Sequence, residues 1–101
     1  MAEGLIMQDA HYIAIIHKDA DSGYGVSFPD VPGVTAVADT LDAAIGEAAV
    51  VLGFAFEDWP GPVPAPRTLD ALRQDSAFVE ASRDGVVIAV RPNAPLFEAA
   101  E

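Results

Sequence analysis

The apolar positions run at strand spacing, then at helix spacing, then at strand spacing again. "HYIAIIH", 11 to 17, is apolar on both alternating faces, with Tyr12, Ala14 and Ile16 on one and Ile13 and Ile15 on the other. That pattern predicts a strand covered from both sides. "KDADSG", 18 to 23, is polar and predicts a turn. "YGVSF" alternates Tyr24, Val26 and Phe28 against Gly25 and Ser27, so a second strand buries one face. The corner Pro29-Asp30-Val31-Pro32-Gly33 then leads into "GVTAVA", a third strand. From Asp39 the spacing turns helical through "DTLDAAIGEAAVVLGFAFED". At about 100° per residue, Leu41, Ala44, Ile45, Ala48, Leu52, Ala55 and Phe56 share one arc, which is expected to lie on the sheet. Asp39 or Thr40 caps the free N–H groups, and Asp42 sits where the positive helix end favours an acid. "WPGPVPAP", 59 to 66, ends the helix as a proline-rich connector. Thr68 caps a short helix, "LDALRQD"; "SAFVEAS" is helical or irregular; "GVVIAVRP" is a last strand, apolar on both faces. The order β-β-β-α-(α)-β describes an antiparallel sheet with one main helix on a face, an α+β fold.

Some of this pattern exceeds what a closed monomer needs. Opposite the helix arc lie Gly46, Gly53, Asp42 and Glu57, but also Val50 and Phe54 at a spacing of one turn. Each interior glycine costs roughly 1 kcal/mol relative to alanine. They permit another element to approach closely, with Val50 and Phe54 as its contacts, unless the second helical segment folds back over them. The first and last strands also need cover on both faces, from residues 68–82 or from another chain. Oligomerisation is therefore expected.

At the corner, Pro29 and Pro32 fix φ, Gly33 is permissive, and the Asp30 side chain is expected to bond nearby backbone N–H groups. Asp30 is read as part of a bend and not as a catalytic acid. Trp59, the single tryptophan, is either a plug holding the connector to the sheet or an anchor for a partner.

Composition narrows the function. The 101 residues contain no cysteine, which removes thiolate nucleophiles, disulfides and Cys-ligated metals. Sixteen acids against five bases give a formal net charge of −11. Such a surface repels phosphate backbones, so direct nucleic-acid binding is not expected; the acidity serves solubility, the commoner reason for it, or steers a basic protein partner. No stretch approaches the roughly 18 apolar residues of a membrane span, and no signal peptide is apparent, so the cytoplasm is the expected location. "DADSG" has its glycine one position too early for a calcium loop. His11 and His17 lie about 20 Å apart along the first strand and cannot share a metal within one chain, although His17 could pair locally with Asp19. Asp30, Asp39, Asp42 and Glu47 could serve a metal-dependent nuclease, but no acid interrupts the first strand. No cofactor, metal or catalytic residue is assigned.

"YIAIIHKDADSGYGVSFPDVPGVTAVADTLDAAIGEA" resembles the HicB-like antitoxin family of toxin–antitoxin systems. "FPDVPG" followed about ten residues later by "DTLDAA" is the specific part of the likeness, and the whole covers residues 11 to 91. The resemblance implies a partial ribonuclease-H-like fold with no activity of its own. It also implies a small basic partner, a HicA-like mRNA-cleaving toxin, and assembly as dimers or tetramers. Val34 stands where relatives often carry cysteine, and Ala38 where they often carry glycine. Many relatives continue into a DNA-binding segment; "NAPLFEAAE" is too short for paired helices.

The expected organisation is an extension over 1–10, the HicB-like domain over 11–91 and an acidic tail over 92–101. The expected function is steric neutralisation of the toxin. The alternative is a stand-alone homo-oligomer with a ligand-binding or scaffolding role. The contacts expected for a partner or a second copy are Asp19, Asp21, Val50, Phe54 and Trp59.

Overall fold

The computed structural model describes residues 10–19 and 23–92. Four strands, β1 (Tyr12–Lys18), β2 (Tyr24–Ser27), β3 (Thr35–Ala38) and β4 (Val86–Val90), form one antiparallel sheet in the order β3-β2-β1-β4. Between β3 and β4 come α1 (Leu41–Glu57), α2 (Leu69–Leu72) and α3 (Ser76–Ser82). Residue 77, within the stretch left open between helix and irregular chain, is helical: the Asp75 side chain accepts from the Ala77 N–H at 2.9 Å.

The doubly apolar pattern of β1 has its cause in two cores. Tyr12, Ala14 and Ile16 point to the face covered by α1, where they meet Val26, Phe28, Val31, Ala36, Ala44, Ala48, Leu52 and Val90. Ile15 points the other way and is sealed by Leu72 and Phe78, with Ile13 and Leu69 at the margin. Residues 68–82 thus cover the second face of β1, and they do not fold back over Val50 and Phe54. His17 tethers this layer, its Nε2 donating to the Ala81 carbonyl at 2.7 Å rather than pairing with Asp19.

The helix begins where expected. Thr40, not Asp39, is the cap, its Oγ1 accepting from the Ala43 N–H at 3.1 Å, and Asp42 lies in the first turn. The buried stripe is narrower than the expected arc: Ala44, Ala48, Leu52 and Gly53 are buried, while Leu41 and Ile45 are exposed. The reason is the position of α1, which lies mainly over β3 and β2 and only grazes β4. Ile45 therefore overhangs the β4 side of the sheet instead of resting on it. Gly53, expected on the outer side, is buried instead.

Candidate partner-binding surfaces

The β2–β3 corner is held by a contact no local pattern reveals. Gly33 has φ 95°, the left-handed region that closes the bend, and Val34 N–H bonds the Val31 carbonyl at 3.2 Å. The Asp30 side chain, 8% exposed, reaches neither neighbour. It accepts from the backbone N–H of Arg67 at 2.7 Å and from Arg67 Nε at 2.6 Å, across 37 residues of sequence. Arg67 NH1 also donates to Asp75 at 3.1 Å. The guanidinium holds the Asp75 carboxyl below its usual range, aided by the Ala77 N–H, and the bond to Asp30 raises Arg67 further. A fork between two carboxylates thus joins the corner to the end of the connector and to the start of α3.

The other end of the connector is fixed by rings. Tyr12, Phe56 and Trp59 form a row of edge-to-face contacts, with centroids 5.2 and 5.7 Å apart. The Tyr12 hydroxyl donates to the Pro64 carbonyl at 2.5 Å. Burial, and behind it the charge of Asp30, pushes the Tyr12 phenol above its ordinary pKa. Trp59 is half-buried against the main core.

The residues expected as contacts fall on three elements: the end of β1, the outer face of α1 and the connector. Asp19 is exposed at the end of β1, where its N–H bonds the Gly23 carbonyl at 2.9 Å. Asp21 lies outside the described residues. Beside Asp19 opens a cleft of about 440 Å³ lined by Gly23, Tyr24, Val37, Ala38 and Asp39. Its glycine is obligatory, because a Cβ on Gly23 would collide with the Ala38 backbone. On the outer face of α1, Phe54 is 52% exposed, Val50 is half-buried and Gly46 faces open space. Trp59 belongs to the connector described above.

Other apolar residues stand out that the pattern did not single out as contacts. Val37 on β3 is 76% exposed, and Val86 and Val87 on β4 are 48% and 38% exposed. In each case the signal was an apolar residue on a short strand, which reads the same whether the strand is central or at an edge. Among the described residues, no three His, Asp or Glu side chains converge in a way that would hold a metal ion, and no helix is long and apolar enough to cross a membrane.

The match to known proteins follows the same stretch of chain. The model of the HicB_like antitoxin of bacterial toxin-antitoxin system matches residues 12–94. The crystal structure of the Burkholderia pseudomallei antitoxin HicB superimposes with a TM-score of 0.60 at 25% identity, over 79% of this chain. This chain spans 61% of that one's length. The separate N-terminal domain of the same antitoxin gives a TM-score of 0.61 at 26% identity, over 79% of this chain and 94% of that domain. No curated protein matches. By a family match that runs through all four strands and all three helices, the chain belongs to the HicB-like antitoxins of bacterial toxin–antitoxin systems.

Proposed function

We propose that the chain is the antitoxin of its pair: it binds a small basic HicA-like mRNA-cleaving toxin and neutralises it sterically, without chemistry of its own. Such a partner would place its work in the cytoplasm. The observation that carries this reading is charge on a known fold, a formal net charge of −11 on a HicB-like antitoxin domain. An RNA-cleaving protein needs a basic face for its substrate, and an acidic surface meets that face in the substrate's place.

The domain over 11–91 offers Asp19 and Asp21 as the electrostatic part of the contact. Val50, Phe54 and Trp59 offer the apolar part. Phe54 is the best anchor among them, since an aromatic ring half in solvent on a rigid helix loses little entropy when covered.

The test is co-expression with a HicA-like toxin, taken from beside this chain's own gene where a short basic protein is encoded there. Restored growth, together with a stoichiometric complex on copurification, supports the reading. Toxicity unrelieved by this chain, with no complex formed, would instead favour a stand-alone homo-oligomeric domain.

A further inference from the structure

Charge is unevenly divided across the sheet. Residues 19–66, which supply β2, β3, α1 and the connector, hold half of the sixteen acids and no lysine or arginine. Residues 67–91, which supply α2, α3 and β4, are balanced: Arg67, Arg73, Arg83 and Arg91 stand against Asp70, Asp75, Glu80 and Asp84. The sheet therefore has an acidic half that ends in β3 and a neutral half that ends in β4. β3 reads Thr35-Ala36-Val37-Ala38, with no lysine or proline to blunt the edge. Among the described residues it pairs with β2 alone, so alternate N–H and C=O groups point outward. Ala36 is buried beneath α1, which turns Val37 to the opposite face of the sheet. There Val37 is 76% exposed, and its cross-strand neighbour Gly25 leaves the floor bare, since a Cβ on it would meet nothing within 4 Å. Asp39 follows the strand directly, and Asp19 stands across the cleft at its end. The base at the border, Lys18, is engaged: its ammonium donates to the Asp19 carbonyl at 3.0 Å and lies over the Tyr24 ring.

From these observations we infer that β3 is a strand-addition site for the basic partner: a short extended segment of the toxin pairs along Thr35–Ala38 and lays an apolar side chain beside Val37. This deepens the antitoxin reading and rests on it. Charge selects the occupant. A basic segment gains from the acids that flank the strand, whereas a second copy would bring one acidic half against another, and a phosphate backbone would be repelled. Length selects its form. A four-residue edge suits a short segment, whose main-chain bonds set the register while its side chains select it. Side chains alternate along a strand, so the residues on either side of the apolar one face the α1 side of the sheet. Asp42 lies in the first turn of α1 on that side, which favours lysine or arginine there. The segment is therefore of alternating basic and apolar chemistry.

The test uses the purified full chain and a purified HicA-like toxin, read by titration calorimetry and by deuterium exchange of backbone amides. Exchange over residues 35–38 is expected to slow in the complex, because the outward amides of the edge become paired. Val37→Lys should weaken binding by about 30-fold or more, and Val37→Glu by less, because only the lysine repels a basic segment. Val86→Lys, on the neutral edge, should bind as the wild type does. Val37 and Val86 are both exposed, so all three variants should fold. Strand addition at β3 is overturned, with the antitoxin reading left standing, by toxin binding that Val37→Lys does not weaken or by unchanged exchange over 35–38. An equal loss with Val86→Lys, or a larger loss with Val37→Glu than with Val37→Lys, overturns it too. A wild type that binds no toxin overturns the antitoxin reading, and this inference with it.

Discussion

At the scale of single residues, the polar bonds that matter join distant parts of the chain. Asp30 sits in a corner motif that invites a local reading, yet both of its oxygens are taken by Arg67. Removing the carboxylate leaves the Arg67 N–H without its acceptor and frees the connector from the corner. Asp30→Ala is expected to cost about 1–3 kcal/mol, read as a lower denaturant midpoint at unchanged slope. Asp30→Asn should recover part of the loss, because its amide oxygen still accepts. A catalytic acid would show no such pattern in stability. Tyr12 supplies a second test, on the alkaline side. Its folded pKa is raised, so the neutral phenol is the form the fold prefers. The contribution is complete below the unfolded value of about 10 and is lost as pH rises towards the folded value. Thermal unfolding of the wild type should therefore show a steeper alkaline fall than Tyr12→Phe. At neutral pH the variant should be less stable by about 1 kcal/mol, for the bond to Pro64. Equal alkaline slopes would mean that the phenol is not held neutral by its surroundings.

At the scale of elements, the strands, the helix starts and the proline-rich connector were legible because they rest on local chemistry. Short runs apolar on both faces gave β1 and β4, alternation gave β2, and the hydroxyls of Thr40 and Thr68 mark the two cap positions they occupy. What local chemistry does not encode is lateral placement. Leu41 and Ile45 satisfy the helical period, but whether they meet the sheet depends on which strands α1 crosses. The destination of residues 68–82 was equally open, since Leu72 and Phe78 would suit either uncovered surface and the choice falls to the exposed face of Ile15. Gly46 shows a further limit. A glycine in mid-helix signals close approach, but a Cβ there would meet nothing within 4 Å in the isolated chain. Gly46→Ala is accordingly expected to stabilise the free protein by about 0.5–1 kcal/mol, measured as a higher unfolding midpoint. If the outer face of α1 is a docking surface, the same variant should bind the toxin more weakly. A gain in stability with unchanged binding would remove Gly46 from the contact.

At the scale of the whole molecule, charge and apolar exposure act over different distances, and they should govern different parts of binding. The net charge of −11 acts over a Debye length, about 10 Å at 0.1 M salt and about 3 Å at 1 M. It can guide a basic partner inward but fixes no geometry. Phe54, rigid on α1 and 52% exposed, is the reverse: it has no reach, but it loses water only once the partner is seated. Association with the toxin should therefore slow by about tenfold or more between low and high salt, with dissociation little changed. Phe54→Ala should do the opposite, leaving the association rate near its wild-type value and speeding dissociation by about 30-fold, the equivalent of a hot-spot loss near 2 kcal/mol. Because Phe54 is exposed and outside both cores, its truncation should leave the unfolding midpoint almost unmoved. Stopped-flow association and dissociation traces of the purified pair, taken across a salt series for wild type and variant, separate the two effects. Salt acting on dissociation instead would place the acids inside the seated contact rather than around it.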